Sequence, residues 1–369
     1  MGRVRIKMIR KMLINDTIML EISQKQQKIL GLFLQNNLLS SSEVHERLSQ
    51  EGEKTSLVTI KRELSRMATS GLLTASGRGR ARAYSVSILG RLFCNVDANT
   101  YNAVEPDKRY GLANFNFDLL PSFPQNIFTP AELLGLEEAT DEYRKRIADL
   151  PAAIAKKELE RLIIELSWKS SKIEGNTYTL LDTEKLILEH KEAPGHDKKE
   201  AKMILNHKEA FEFVHDNKKR FHALTRANLE QLHGIIVKDL SVGTGLRQKP
   251  VGVTGSKYRP LDNIHPIKEA VEALASAISR ASTPYTKALL ALIGISYIQP
   301  FEDGNKRTAR LMANALLLAY GSAPLSYRSV EEKDYREATL VFYELNSIVP
   351  FKKLFMEQYI FAAQNYAVK

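Results

Sequence analysis

The chain has 369 residues, room for two or three domains, with a net charge of +10 at pH 7, 44% hydrophobic and 26% charged residues. That balance supports ordinary buried cores and favours acidic partners such as nucleotides or nucleic acid. The single cysteine, Cys94, excludes an internal disulfide and a cysteine-based zinc site, and the eight histidines show no metal-ligand spacing. No apolar run is long enough to cross a bilayer, so no membrane is expected.

Residues 1–20 form a basic leader carrying Arg3, Arg5, Lys7, Arg10 and Lys11. Asn15 and Asp16 interrupt its apolar piece and no small-residue cleavage site follows, so the expected compartment is the cytoplasm. Residues 21–95 read as a small α+β unit. Ile29, Leu30, Phe33 and Leu34 have helical spacing, and Ser40 with Glu43 forms a capping box that opens a second helix. Thr55 or Ser56 caps a third helix with Leu57, Ile60, Leu64 and Met67 inward, and Gly71 stops it. Two short extended runs around the turn Gly77-Arg78-Gly79-Arg80 read as a β-hairpin with a basic tip. Three helices and such a hairpin predict a winged helix domain. From Lys54 to Arg82 there are seven Lys/Arg against one acid, Glu63. Lys61, Arg62 and Arg66 on the third helix, with Arg78 and Arg80 on the tip, are the expected DNA contacts. Winged helices also serve as protein–protein modules, and charged faces are often only solvated.

Residues 96–129 lack periodicity and read as a linker packed on the next domain. Residues 130–369 are overwhelmingly helical, with segments near 131–149, 153–174, 182–190, 199–216, 225–239, 267–281, 284–297, 305–320, 332–346 and 351–366. The exception is Val251-Gly252-Val253 and Lys257-Tyr258-Arg259 about Thr254-Gly255-Ser256, read as a short hairpin. The fold class is therefore mainly α, with a short hairpin in the helical body and a small α+β domain before it.

The most informative stretch runs from Gln299 to Arg310: Gln-Pro-Phe-Glu-Asp-Gly-Asn-Lys-Arg-Thr-Ala-Arg. A Gly-containing turn at a helix start aims backbone N–H groups at one point, where the helix dipole is also positive. Arg307 and Arg310 share a helix face and can clamp a polyphosphate, while Asp303 can hold Mg²⁺. These residues predict a site for a nucleoside triphosphate.

The string resembles the Fic (Fido) family signature, H-P-F-x-[DE]-G-N-[GK]-R-x-x-R, with Gln299 where the family has histidine. Two further stretches keep the family's order. Ser170-Ser171-Lys172-Ile173-Glu174-Gly175-Asn176 matches the inhibitory-helix motif, expected on a helix at about 155–175. Gly245 through Pro260 looks like the flap that lays a target segment across the site by strand pairing, with Val251, Gly252, Val253 and Tyr258 as the target-binding positions. The resemblance implies ATP and Mg²⁺ as cofactors and a protein hydroxyl as AMP acceptor. It implies Asp303 as the metal ligand and Gly304, Asn305 and Lys306 as the anion hole. Arg307 would meet the inner phosphates, Arg310 the terminal one, and Phe301 would anchor the loop. Tyr335 and Tyr343 could face adenine, although aromatic residues on a helix more often pack. Ser170 and Glu174 would be inhibitory, with Glu174 reaching Arg310 in place of the γ-phosphate.

A glutamine cannot take the attacking hydroxyl's proton at any relevant pH; it can only orient that hydroxyl. Loss of a general base costs about 10²–10⁴-fold in rate. Three readings result. One is an impaired or self-restrained protein adenylyltransferase. A second is a catalytically inactive, nucleotide-sensing DNA-binding regulator. The third is a toxin-type phosphotransferase, suggested by Lys306 where AMP-transferring members usually have glycine. The protein target is not legible, and a homodimer is admissible.

Overall fold

The structure, a computed structural model, describes residues 22–368; the leader predicted for residues 1–20 lies outside them. Elements form where side chains satisfy the free N–H groups of helix starts. Ser23 caps α1 (Gln24–Gln35), and Ser40 caps α2 (Ser41–Gln50) in a reciprocal box with Glu43. Ser56, the alternative to Thr55, caps α3 (Leu57–Thr69).

Strands β1 (Leu39–Ser40), β2 (Leu73–Ser76) and β3 (Ala83–Val86) form an antiparallel sheet in the order β1-β3-β2. Leu73 lies opposite Val86, and Ser76 opposite Ala83. The inward faces of this unit (Ile29, Phe33, Ile60, Leu64, Met67, Tyr84) make a separate small core. Helix α4 (Ile88–Phe93) and the short α5 (Ala98–Asn102) lead out of it.

The stretch expected as a linker is fastened along the helical body. Leu112 N donates to Glu344 O at 2.6 Å, and Phe115, Leu119, Phe123 and Phe128 are buried in the main core. Gly111 is required there. Its φ is +113°, and a Cβ would sit 2.4 Å from Glu344 O.

Among the described residues ten α-helices follow: α6 (Pro130–Ala148), α7 (Ala152–Ile173), α8 (Leu180–Glu189), α9 (Lys198–Asp216), α10 (Arg226–Ile236), α11 (Ile264–Arg280), α12 (Pro284–Ile298), α13 (Asn305–Ala319), α14 (Glu332–Leu345) and α15 (Val349–Asn365). Helix α12 is apolar around its circumference and buried along its length. It pairs with α13, itself buried except near Lys306 and at its last residue. Helices α7, α9, α10, α11 and α14 pack against one or the other of these two, whereas α8 packs on α7 and α9 in a separate small cluster.

One sequence expectation fails. No ladder joins 251–253 to 257–259; among the described residues the segment contributes only a turn and an isolated parallel bridge, Asn114 to Arg259. Its polar groups are satisfied elsewhere. Arg259 N donates to Ala113 O at 2.7 Å, and Gly255 O accepts from Arg109 Nη1 at 3.1 Å. Tyr258 is correspondingly corrected from a target contact to a core residue: it is buried, stacked on Tyr297 at 4.7 Å, and its hydroxyl donates to Tyr297 O at 2.8 Å.

Replacing Gly111 with alanine should cost about 1–3 kcal/mol, the range for a residue forced into a sparsely populated backbone region. Urea denaturation reads it; an unchanged midpoint would contradict the close approach of this segment to α14.

Candidate functional site

The α12–α13 turn is held in a narrow set of conformations. Gln299 closes α12 with φ +51°, uncommon for a residue with a Cβ. Its Nε2 donates to Ser296 O at 2.6 Å and lies 3.4 Å from the Tyr343 hydroxyl oxygen, so the amide is turned back onto its own helix. Gln299 O accepts from Arg247 Nε at 2.7 Å, and Pro300 O accepts from Arg247 N at 3.0 Å. Asn305 brackets Phe301: its Oδ1 accepts from Phe301 N and its Nδ2 donates to Phe301 O, both at 2.8 Å.

Gly304 comes next with φ +76°, and a Cβ there would press on Val237 and Ile236 at 3.1 and 3.3 Å. It opens α13, placing the free N–H groups of the first turn, with those of Asn305 and Lys306, at the mouth of a cavity of about 400 Å³. The Gly304 N–H itself is taken by Asp303 Oδ1 at 2.6 Å.

Two residues absent from the expected site support this turn. His233 stacks on Phe301 with centroids 3.7 Å apart, and its Nε2–H donates to Asp303 O at 3.0 Å. Burial pushes the His233 imidazole down to about 4, against the opposing effect of that carbonyl, so the ring is neutral at pH 7. Arg247, the second, ties the start of the 245–260 segment to the Gln299–Pro300 carbonyls. His233 had no sequence signal beyond residue type, since its partner lies 70 positions away; Arg247 lay in the stretch that resembles the flap, but its partner 52 positions away was not marked.

The cavity is walled by Ile173, Glu174, Val251–Thr254, Gln299, Glu302–Arg307 and the α14 residues Tyr335, Arg336, Thr339, Leu340 and Tyr343. Asp303 is largely exposed, and its Oδ2 meets Arg307 Nη2 at 3.1 Å. Arg307 is otherwise buried, with Nη1 unpartnered. Tyr343 forms the floor beside Gln299; burial drives its hydroxyl pKa upward, so it stays protonated and is no substitute base.

Arg310 is fully buried and does not line the cavity. Its Nε donates to Ser170 Oγ and its Nη2 to Ser170 O, both at 2.8 Å. Nη2 also lies 2.9 Å from Glu174 Oε1, while Glu174 Oε2 lies 3.4 Å from Lys306 Nζ. Burial alone would raise the Glu174 carboxyl, but Arg310 and Lys306 outweigh it and hold the group below the usual carboxylate range. The α7 end thus delivers an ionised carboxylate between the cavity and the innermost arginine.

Far from this cavity, Lys61, Arg62 and Arg78 are exposed, as is Arg66, which pairs with Glu63 at 3.5 Å. The Arg80 side chain lies outside the described part of the structure.

Residues 223–317 match the Fic/DOC family. The chain is 27% identical over 208 residues to the protein adenylyltransferase Fic of Nematostella vectensis, covering 53% of this chain and 48% of that protein. It is 24% identical over 184 residues to the protein adenylyltransferase fic-1 of Caenorhabditis briggsae, covering 48% and 36%. It therefore spans half or less of the length of these curated relatives. The solved structure of a Fic domain containing signaling protein from Bacteroides thetaiotaomicron superposes with a TM-score of 0.53 at 20% identity, over 62% of this chain and 94% of that one. A Fic family protein from Desulfovibrio desulfuricans gives 0.53 at 21%, over 65% and 75%. These two likenesses show a shared fold.

Neutral His233 gives stability a pH dependence. Below the ordinary value of 6.5 the unfolded chain takes up a proton that the folded chain refuses until about 4. The contribution is therefore fully present above pH 6.5 and lost as pH falls toward 4, up to about 3 kcal/mol. His233→Gln should flatten the fall in denaturation midpoint between those values. Some slope should remain, because burial also holds His207 neutral. An unaltered slope would contradict this assignment.

Proposed function

The chain carries a Fic/DOC family domain distantly related to the Fic protein adenylyltransferases, and from that premise we propose that its cavity binds a Mg²⁺–nucleoside triphosphate under restraint by Glu174. The observation carrying this reading is the buried Arg310 guanidinium, neutralised by a carboxylate that α7 inserts at the cavity wall. An incoming terminal phosphate would offer Arg310 the same charge-assisted contact. Lys306 and the unpartnered Arg307 Nη1 supply further positive groups, and the start of α13 supplies backbone donors.

The residues also fit a divalent cation. Asp303 presents an exposed carboxylate on the cavity wall, with lone pairs left on both oxygens, the donor Mg²⁺ takes alongside substrate phosphates. When bound, the ion would neutralise phosphate charge.

The chemistry is limited by Gln299. Its Nε2 donates to Ser296 O, and an amide cannot remove a proton. What the chain supplies is positioning and charge stabilisation, with Val251–Thr254 at the cavity rim where a target segment would lie. The reading is a self-restrained adenylyltransferase-like protein whose AMP transfer to a protein hydroxyl is slow. Calorimetry should show Mg²⁺–ATP binding that tightens in Glu174→Gly; equal affinity would remove the inhibitory role. In that background, Gln299→His should raise retention of α-labelled phosphate on protein by about 10²–10⁴-fold. Label retained from the γ position instead would favour phosphoryl transfer.

A second reading is favoured by the exposed cations of α3 and the β2–β3 tip. Here the three-helix, three-strand unit is a winged helix that binds DNA, and the cavity reports nucleotide to it. A gel shift should weaken as salt rises and disappear in Arg62→Glu/Arg66→Glu. Binding indifferent to salt would contradict it.

A further inference from the structure

The Glu174 carboxylate stands at the end of α7, followed by Gly175 with φ +95° and a tight turn in which Glu174 N and Asn176 N both donate to Ser171 O. This turn is fastened from outside by residues well away from the cavity. Thr177 N donates to Glu200 Oε1 at 3.1 Å, and Thr177 Oγ1 donates to Glu200 Oε2 at 2.8 Å. His196 Nδ1 lies 2.8 Å from Thr177 Oγ1 and 3.2 Å from Glu200 Oε2. A consistent donor order runs from imidazole N–H to hydroxyl oxygen, and from hydroxyl hydrogen to carboxylate. Asn176 Nδ2 adds a bond to Glu200 O at 3.0 Å. One acidic residue in the first turn of α9 thus receives three of the turn's polar groups.

We infer that Thr177, His196 and Glu200 form a clip that fixes the turn bearing Glu174, and so sets how firmly Arg310 is withheld from ligand. The reason is geometric. Glu174 can leave Arg310 by swinging its side chain or by movement of the α7 end. The side chain is held by Arg310 and Lys306 together; the clip blocks the second route by anchoring the backbone three residues on. The clip is polar and lies at the surface: Thr177 is exposed, and the His196 and Glu200 side chains are about one-fifth exposed. It can therefore be broken without opening a core. These are positioning residues that act through Glu174, and the inference rests on the nucleotide reading above.

The test is a double-mutant cycle with Mg²⁺–ATP as the probe, joined to amide exchange of residues 174–178. Glu200→Ala should tighten Mg²⁺–ATP binding by about three- to tenfold, the scale of one or two exposed hydrogen bonds. Thr177→Val should give a smaller gain. In a Glu174→Gly background Glu200→Ala should add nothing, because the group it positions is gone. In the absence of nucleotide, exchange at Thr177 and Tyr178 should speed up in Glu200→Ala. Unchanged affinity with unchanged exchange overturns the clip. An equal gain in both backgrounds also overturns it, since the effect would not pass through Glu174. Faster exchange with no nucleotide bound by any variant keeps the clip as an anchor of this turn and overturns the nucleotide reading instead.

Discussion

A guanidinium with no exposed surface must have its charge met inside the protein, by backbone carbonyls as at Arg247 or by an anion, and the arrangement around Arg310 takes the second course. Removing one partner of a buried pair costs about 3–5 kcal/mol, because the remaining charge is stranded. Arg310 is paired with Glu174 and donates Nε and Nη2 to Ser170, while its Nη1 has no hydrogen-bond partner among the described residues. The end of α7 must therefore lie against α13, and α7 must be long enough to reach it. The same requirement makes the contact exchangeable. Any anion of suitable shape can replace the carboxylate at little electrostatic cost, whereas an empty position is expensive. Lys306 adds a second cation to the Glu174 carboxylate, so the closed state is held from two directions.

The turn between α12 and α13 is built with comparable economy of choice. Gln299 and Gly304 both take positive φ. Asn305 spends its amide on the Phe301 backbone, and His233 both stacks on Phe301 and holds the Asp303 carbonyl. These groups are directed before a ligand arrives, as preorganised binding requires. At 299 the amide Nε2 is turned onto its own helix end, although the residue lines the cavity.

Much of this was legible in the sequence because it is local. Helix starts at Ser40 and Ser56 rest on side chains within three residues of the groups they satisfy. The cradle occupies twelve consecutive positions, so its order alone carries the motif. What failed depends on distant partners. Two short runs about Thr254-Gly255-Ser256 suggested paired strands, but the backbone there is satisfied by Ala113 and Arg109, and Tyr258 turns inward onto Tyr297. His233 was silent for the same reason. The Thr177–His196–Glu200 contacts join positions 19 and 23 apart, with no periodicity to mark them.

Helix α14 belongs to two cores at once. Val341 and Leu345 complete the small core of the N-terminal unit, while Tyr335, Thr339, Leu340 and Tyr343 wall the cavity. Buried Glu344, near its end, accepts from Tyr101, Arg109 and Ser256. The N-terminal unit and the cavity thus share this helix of fourteen residues as a common wall.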